Sequence, residues 1–362
     1  MPLMPTPFAA PRSGSWRWRR ILVAGVLAAL GCIYFAHVEH TQLPYTADLD
    51  DQLYGARFLL EGRNPYALIG RGRAVQWRWG LSYPAPTLVA LVPLARLSLP
   101  TARLVFVGIT SFLFLYALGC LRGAWRFLAV LSKPYQASLL QVQWGFLFAA
   151  AWVLPAVAAL AIVKPNIGVA VVCARLKSPW LIAALAGGTV LLIASVALLP
   201  TWPRDWVTSL GMDPTRRFAL SRPGGFLLVL AALKWRRPEA RLLLALSIIP
   251  QTLGQYDALL LFFIPDRASE CIALVALSHF AYLMNIAADP KTINEAVVNS
   301  GVHVVVFIYL PALAMVLRRP NEGLVPLWLE NMSGRLPAWL RGRATADAIE
   351  ASKFAGEDRG SA

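Results

Sequence analysis

The chain has 362 residues, of which 57% are hydrophobic and only 15% charged, with a formal net charge of +15. One water-soluble core cannot bury that much apolar surface, so a soluble globular domain is excluded and lipid must cover the excess. The positive charge belongs to helix ends facing anionic lipid and not to nucleic acid, because no basic stripe of the nucleic-acid kind is present.

Residues 1–19 hold Arg12, Arg17 and Arg19, with Arg20 next to them and no acidic residue among them, which places this basic N-terminus in the cytoplasm by the positive-inside rule. The first apolar run, Ile21 to Val38, is too long for a signal-peptide core and lacks a small-residue cleavage site, so it is read as a retained span. A spanning helix needs about 20 apolar residues. Runs of that kind recur at Ala102–Leu121, Pro179–Pro200, Arg241–Pro265, Cys271–Ala287 and Gly301–Leu317. Shorter ones lie at Ala85–Leu99, Trp144–Val163, Ile167–Ala174 and Phe226–Leu233. The prediction is an all-α polytopic membrane domain over residues 20–318, with about nine to eleven transmembrane helices.

The loop at residues 39–82 is then extracytoplasmic. Between Asp50 and Glu61, Leu53, Ala56, Phe58, Leu59 and Leu60 recur near helical spacing, which predicts a short amphipathic helix lying in the interface. Gly62, Asn64 and Pro65 stop it, and Trp77, Trp79 and Tyr83 follow as headgroup-level aromatics. At the far end, Arg318 and Arg319 place residues 319–362 in the cytoplasm, which requires an even number of spans. Trp328, Leu329, Leu336, Trp339 and Leu340 read as an interfacial segment, and about the last twenty residues as disordered.

Ionisable and amide groups near the membrane are the functional pointers, since each is costly there unless paired or hydrated. Asp48, Asp50 and Asp51 stand at the start of the loop helix, where acidic side chains either cap backbone N–H groups or do chemistry. Lys164-Pro165-Asn166 joins a cation to a helix break; it is either a snorkelling lysine or a phosphate contact. Gln141-Val142-Gln143 and Gln255-Tyr256-Asp257 either bond neighbouring helices or line a hydrated cavity. The four cysteines show no paired spacing, and neither a metal motif nor a cofactor motif is visible.

Asp50-Asp51-Gln52-Leu53-Tyr54, continuing through Ala56, Leu59, Leu60, Gly62 and Asn64-Pro65-Tyr66, resembles the "D-x-x-x-Y…A…L-L-x-G-x-x-P-Y" signature of GT-C membrane glycosyltransferases. The group it most resembles is glycosyltransferase family 87, the polyprenol-phosphate-mannose-dependent α-mannosyltransferases. Tyr83-Pro84-Ala85-Pro86 with Pro93-Leu94, Gln141-Val142-Gln143 and Lys164-Pro165-Asn166 resemble further family segments in the same order. The second half departs from the pattern: Gln255 stands where the family often has His, and Leu253 where it has Trp.

The resemblance implies a GT-C-like bundle in the cell's inner or plasma membrane. It would transfer a hexose, mannose by family default, from a polyprenyl-phosphate donor to a hydroxyl of a glycolipid or glycan. Transfer would take place at the extracytoplasmic face with inversion. It implies Asp50 as the base, with Asp51 and Asp48 as alternatives. Lys164, assisted by Arg57 or Arg63, would bind the donor phosphate, and Gln143, Asn166, Gln255 and Tyr256 would bind sugar or acceptor hydroxyls. The alternatives are a catalytically degenerate relative acting as an assembly subunit and a transporter or flippase of a lipid-linked substrate.

Overall fold

A computed structural model describes residues 15–42, 45–213, 215–323, 325–335 and 337–342. The polar tail beyond Gly342 and residues 1–14 of the basic N-terminus lie outside the described residues. Within them, regular structure is helical apart from two isolated bridges, Ile69 with Val75 and Arg217 with Gln251. Five helices are long and apolar enough to cross a membrane: Arg17–Thr41, Leu99–Cys120, Ser178–Leu198, Ala268–Ala287 and Ile293–Leu317. The chain is an all-α polytopic membrane protein.

The other apolar runs fold as shorter pieces, and the breaks have identifiable causes. Arg241–Pro265, expected as one span, is two: Pro238–Ile248 is α-helical, the chain then opens at Ile249-Pro250, and a 3₁₀ run follows at Gln255–Phe263. Pro250 has no N–H to continue the first helix, and Leu253 sits at φ +53. Trp144–Val163 divides likewise at Pro155 into Gly145–Ala151 and a 3₁₀ run over Pro155–Val163. The last span begins earlier than the apolar run suggests, at Ile293, and carries a π-helical turn at Val305–Tyr309 just before Pro311. Proline disrupts the regular hydrogen-bond ladder at that point.

The first helix packs against Leu99–Cys120, and Ser178–Leu198 packs against the Pro155–Val163 run. A small residue permits the second contact, since a Cβ on Gly187 would overlap Ala159, and another lets Pro165–Arg175 close on the same Pro155–Val163 run, since a Cβ on Gly168 would overlap the Ala161 backbone. Gly168→Ala is therefore expected to cost about 1–3 kcal/mol, because backbone must move to admit the methyl group. Thermal aggregation of the detergent-solubilised variant checks it; an unchanged midpoint would contradict this packing.

The expected loop helix forms over Asp50–Leu60 and ends at Gly62, φ +67, with Asn64 capping the next short helix through the Tyr66 N–H. Its setting differs from the interfacial one expected. Asp50, Asp51, Gln52, Leu53, Gly55, Ala56 and Leu59 are all buried, and Gly55 lies against Leu88 and Leu81. The polar N-terminal turn faces protein because partners await it there. At the other end of the chain, Arg236 grips Glu330 through both terminal nitrogens, at 2.8 and 2.7 Å, and anchors the Leu327–Ser333 helix.

Candidate functional site

The polar residues of the apolar chain gather where helices are interrupted. Asp48 precedes the loop helix, Gln143 follows the end of Lys133–Leu140, Lys164 joins the Pro155–Val163 run to Pro165–Arg175, and Tyr256 and Asp257 open the Gln255–Phe263 run. Interrupted helices leave backbone and side chains free to line a site at membrane depth. Two non-glycine residues beside these breaks, Val142 at φ +52 and Leu253 at φ +53, occupy the left-handed region. Such strain persists only where surrounding structure holds it, and it clusters at functional sites.

One hydrogen-bonded chain links the pieces. Gln143 Nε2 donates to Asp48 Oδ2 at 2.6 Å, and Lys164 Nζ donates to Gln143 Oε1 at 3.2 Å and to Asp257 Oδ1 at 2.9 Å. The ammonium also lies 4.9 Å from the Tyr256 ring centroid, and the Tyr256 hydroxyl is 3.3 Å from Thr252 Oγ1. Gln52, fully buried, steadies the Asp48 turn: its Nε2 donates to the Asp48 carbonyl at 2.6 Å, while Trp144 Nε1 donates to its Oε1 at 2.7 Å. The Asp48 N–H donates to the Gln141 carbonyl at 3.1 Å, fastening the loop to the strained Gln141-Val142 corner.

Lys164 is only 7% exposed, so a buried ammonium is matched by a buried carboxylate whose second oxygen, Asp257 Oδ2, has no protein partner among the described residues. Asp51 Oδ1 and Gln255 Oε1 are likewise buried and unpartnered. Orphaned buried acceptors of this kind call for a ligand or water. Elsewhere among the described residues, the Arg222 guanidinium Nε and Nη2 are also buried without a partner, beside Gly301.

Burial raises the Asp48 carboxyl above the usual carboxylate range, against the lowering effect of Arg78, of the Gln143 hydrogen bond and of Lys164. Burial and the neighbouring Asp48 charge push Asp51 well above that range. The folded chain thus holds the Asp51 proton more tightly than the unfolded chain does. Its stabilising share is complete below the unfolded value of about 3.9 and is lost as pH rises toward the folded value. Asp51→Asn, which imitates the neutral acid, is expected to melt a few degrees above the wild type near pH 8 and to match it near about pH 4. Melting curves across pH decide this; an advantage that grows toward acid would contradict it.

The expected site residues are not all brought together. Asp48, Gln143, Lys164 and Tyr256 converge. Asp50 does not join them: Arg103 takes both its oxygens, Nε to Oδ1 at 2.7 Å and Nη2 to Oδ2 at 2.6 Å, and the Ala47 N–H donates to Oδ2 at 2.9 Å. Arg103 also binds Glu39 and the Tyr45 carbonyl, so Asp50 belongs to a clamp between the first helix, the loop and Leu99–Cys120. Arg57 donates to the carbonyls of Ala95 at 2.9 Å and Leu97 at 2.7 Å, tying the loop helix to the end of Ala85–Ala95. Arg63 pairs with Glu61 at 3.1 Å, half exposed, at the end of the loop helix remote from Asp48. Asn166 sits half-buried in the first turn of Pro165–Arg175, and no hydrogen bond joins it to the cluster.

Sequence reasoning passed over Arg103, Gln52 and Arg222, and gave Asp257 no role of its own. A lone arginine in an apolar run demands a partner, and that signal points to Arg103. The convergence of Arg222 on Gly301 depends on tertiary structure alone. No family model matches the chain, and neither curated proteins nor solved structures yield a match.

Proposed function

We propose that this protein is a membrane glycosyltransferase that moves a hexose from a polyprenyl-phosphate donor to an acceptor hydroxyl at the extracytoplasmic face. The observation that carries the reading is the single hydrogen-bonded chain from Asp48 through Gln143 and Lys164 to Asp257. Segments distant in sequence meet in it: Gln143 and Lys164 each belong to a stretch that resembles a different transferase motif, and Asp48 lies just before a third. The net charge of the basic N-terminus supports the orientation that puts this cluster outside the cytoplasm.

In this reading Asp48, not Asp50, is the base. Gln143 holds Oδ2 and leaves Oδ1 to take the acceptor proton, and burial makes the carboxylate a better proton acceptor than an exposed aspartate. The acceptor oxygen bonds to the anomeric carbon as the carbon–phosphate-oxygen bond breaks, and the phosphate departs with that electron pair. Lys164 has a third N–H beyond those given to Gln143 and Asp257. That N–H would stabilise the departing anion. Tyr256, and Gln255 through its buried, unpartnered Oε1, would bond sugar hydroxyls.

A panel of synthetic polyprenyl-phosphate hexoses offered to the purified protein in nanodiscs tests the class. Release of polyprenyl phosphate that depends on Lys164 supports it. Vectorial movement of an intact lipid-linked sugar without release would make the protein a flippase instead.

A further inference from the structure

A second polar site adjoins the Asp48–Asp257 chain without sharing its hydrogen bonds. Arg71, Arg73 and Arg78, with Gly70, Trp79, Gly80, Met212 and Asn294, line an open cavity of about 400 Å³. Segments from three parts of the chain meet here: the loop after the loop helix, the turn after Trp202–Leu210, and the first turn of the last span. The loop is built rather than draped. Gly70 N–H donates to the Val75 carbonyl at 3.0 Å, Val75 N–H to Leu68 at 2.9 Å, and Arg71 Nε to the Arg78 carbonyl at 2.7 Å. Arg73 is fixed by the Tyr66 and Ile69 carbonyls. Gly80 lets the strand of chain close onto Ser209 and Met212, where a Cβ would collide.

We infer that this cavity binds a phosphate ester that also carries hydroxyl groups. Three arginines line it, two of them held by backbone carbonyls and Arg78 not, and no carboxylate is among its lining residues. The Arg78 guanidinium makes no hydrogen bond to the described residues, and its only ring contact is with Trp79, at 6.0 Å. Arginine presents paired N–H donors that match phosphate oxygens. Two further lining groups are buried and unpartnered, the Trp79 indole N–H and the Asn294 amide oxygen. The first is a donor suited to an anion and the second an acceptor suited to a hydroxyl, so together they specify an ester and not bare phosphate. Glu295, beside Asn294, turns away to accept the Lys291 N–H at 2.8 Å. The Arg78 charge acts on Asp48, which puts this site next to the polar chain, yet binding here does not depend on any transfer reaction.

The test is equilibrium binding to the purified full chain in a neutral detergent, read by tryptophan fluorescence. One probe is glycerol 3-phosphate; the other is dihexanoyl phosphatidylglycerol below its micelle concentration, with dihexanoyl phosphatidylcholine as control. Saturable binding is expected, weakened at least about tenfold by Arg78→Gln, partly restored by Arg78→Lys, and falling with added salt. Arg78 supports no backbone carbonyl, so its loss leaves the loop intact. Binding of the lipid alone assigns a membrane headgroup, and binding of glycerol 3-phosphate assigns a soluble ester. Failure of both probes to saturate the wild type, or equal affinity in Arg78→Gln, would overturn the inference.

Discussion

Asp50→Asn is expected to destabilise the protein by about 3–5 kcal/mol, because it strips the matching charge from a buried arginine. Arg103 is 5% exposed and Asp50 2%, and their two parallel bonds of 2.7 and 2.6 Å leave no room for water to compensate. Glu39 remains at 2.5 Å, so the guanidinium keeps one anionic partner, which places the cost toward the lower end of that range. The pair joins the first helix, the loop and Leu99–Cys120, and its loss would loosen all of them together. Asp50→Asn/Arg103→Met removes both charges and is expected to recover much of the loss, as replacement of buried pairs by apolar groups does. Thermal aggregation in detergent compares the variants. A fully stable Asp50→Asn protein without transfer activity would return Asp50 to the role of base.

The second large effect falls on activity. Asp48→Asn keeps an oxygen for the Gln143 amide and breaks no salt bridge among the described residues, so its fold should survive. It removes the proton acceptor. Loss of a general base lowers turnover by about 10²–10⁴-fold. Donor binding should persist, since Lys164 is untouched, so KM for the donor should change little while kcat collapses. A fall confined to KM would make Asp48 a binding group.

The membrane class, the first span and the loop helix were legible because hydropathy and helical periodicity act locally. The number of full-length spans was not. Arg241–Pro265 is apolar on both sides of a short polar stretch, Gln251–Asp257, and the break there is set by Pro250 and by Leu253 in the left-handed region. That same break delivers Asp257 and Tyr256 to Lys164. The site was half legible: Lys164 and Gln143 stood out as polar groups in apolar sequence. The three neighbouring aspartates could not be ranked without knowing that Arg103, some fifty positions onward, claims the middle one. Arg57 and Arg63 looked available because their carbonyl and carboxylate partners are invisible to spacing.

The measurement nearest the central claim is transfer from a synthetic polyprenyl-phosphate mannose in nanodiscs, with extracted membrane lipids as acceptor. Wild type and Asp48→Asn are compared at matched thermal stability. The account predicts a glycosylated product from the wild type and at least about a hundredfold less from Asp48→Asn. Undiminished transfer by Asp48→Asn, or no turnover of any polyprenyl-phosphate sugar by the wild type, would contradict it.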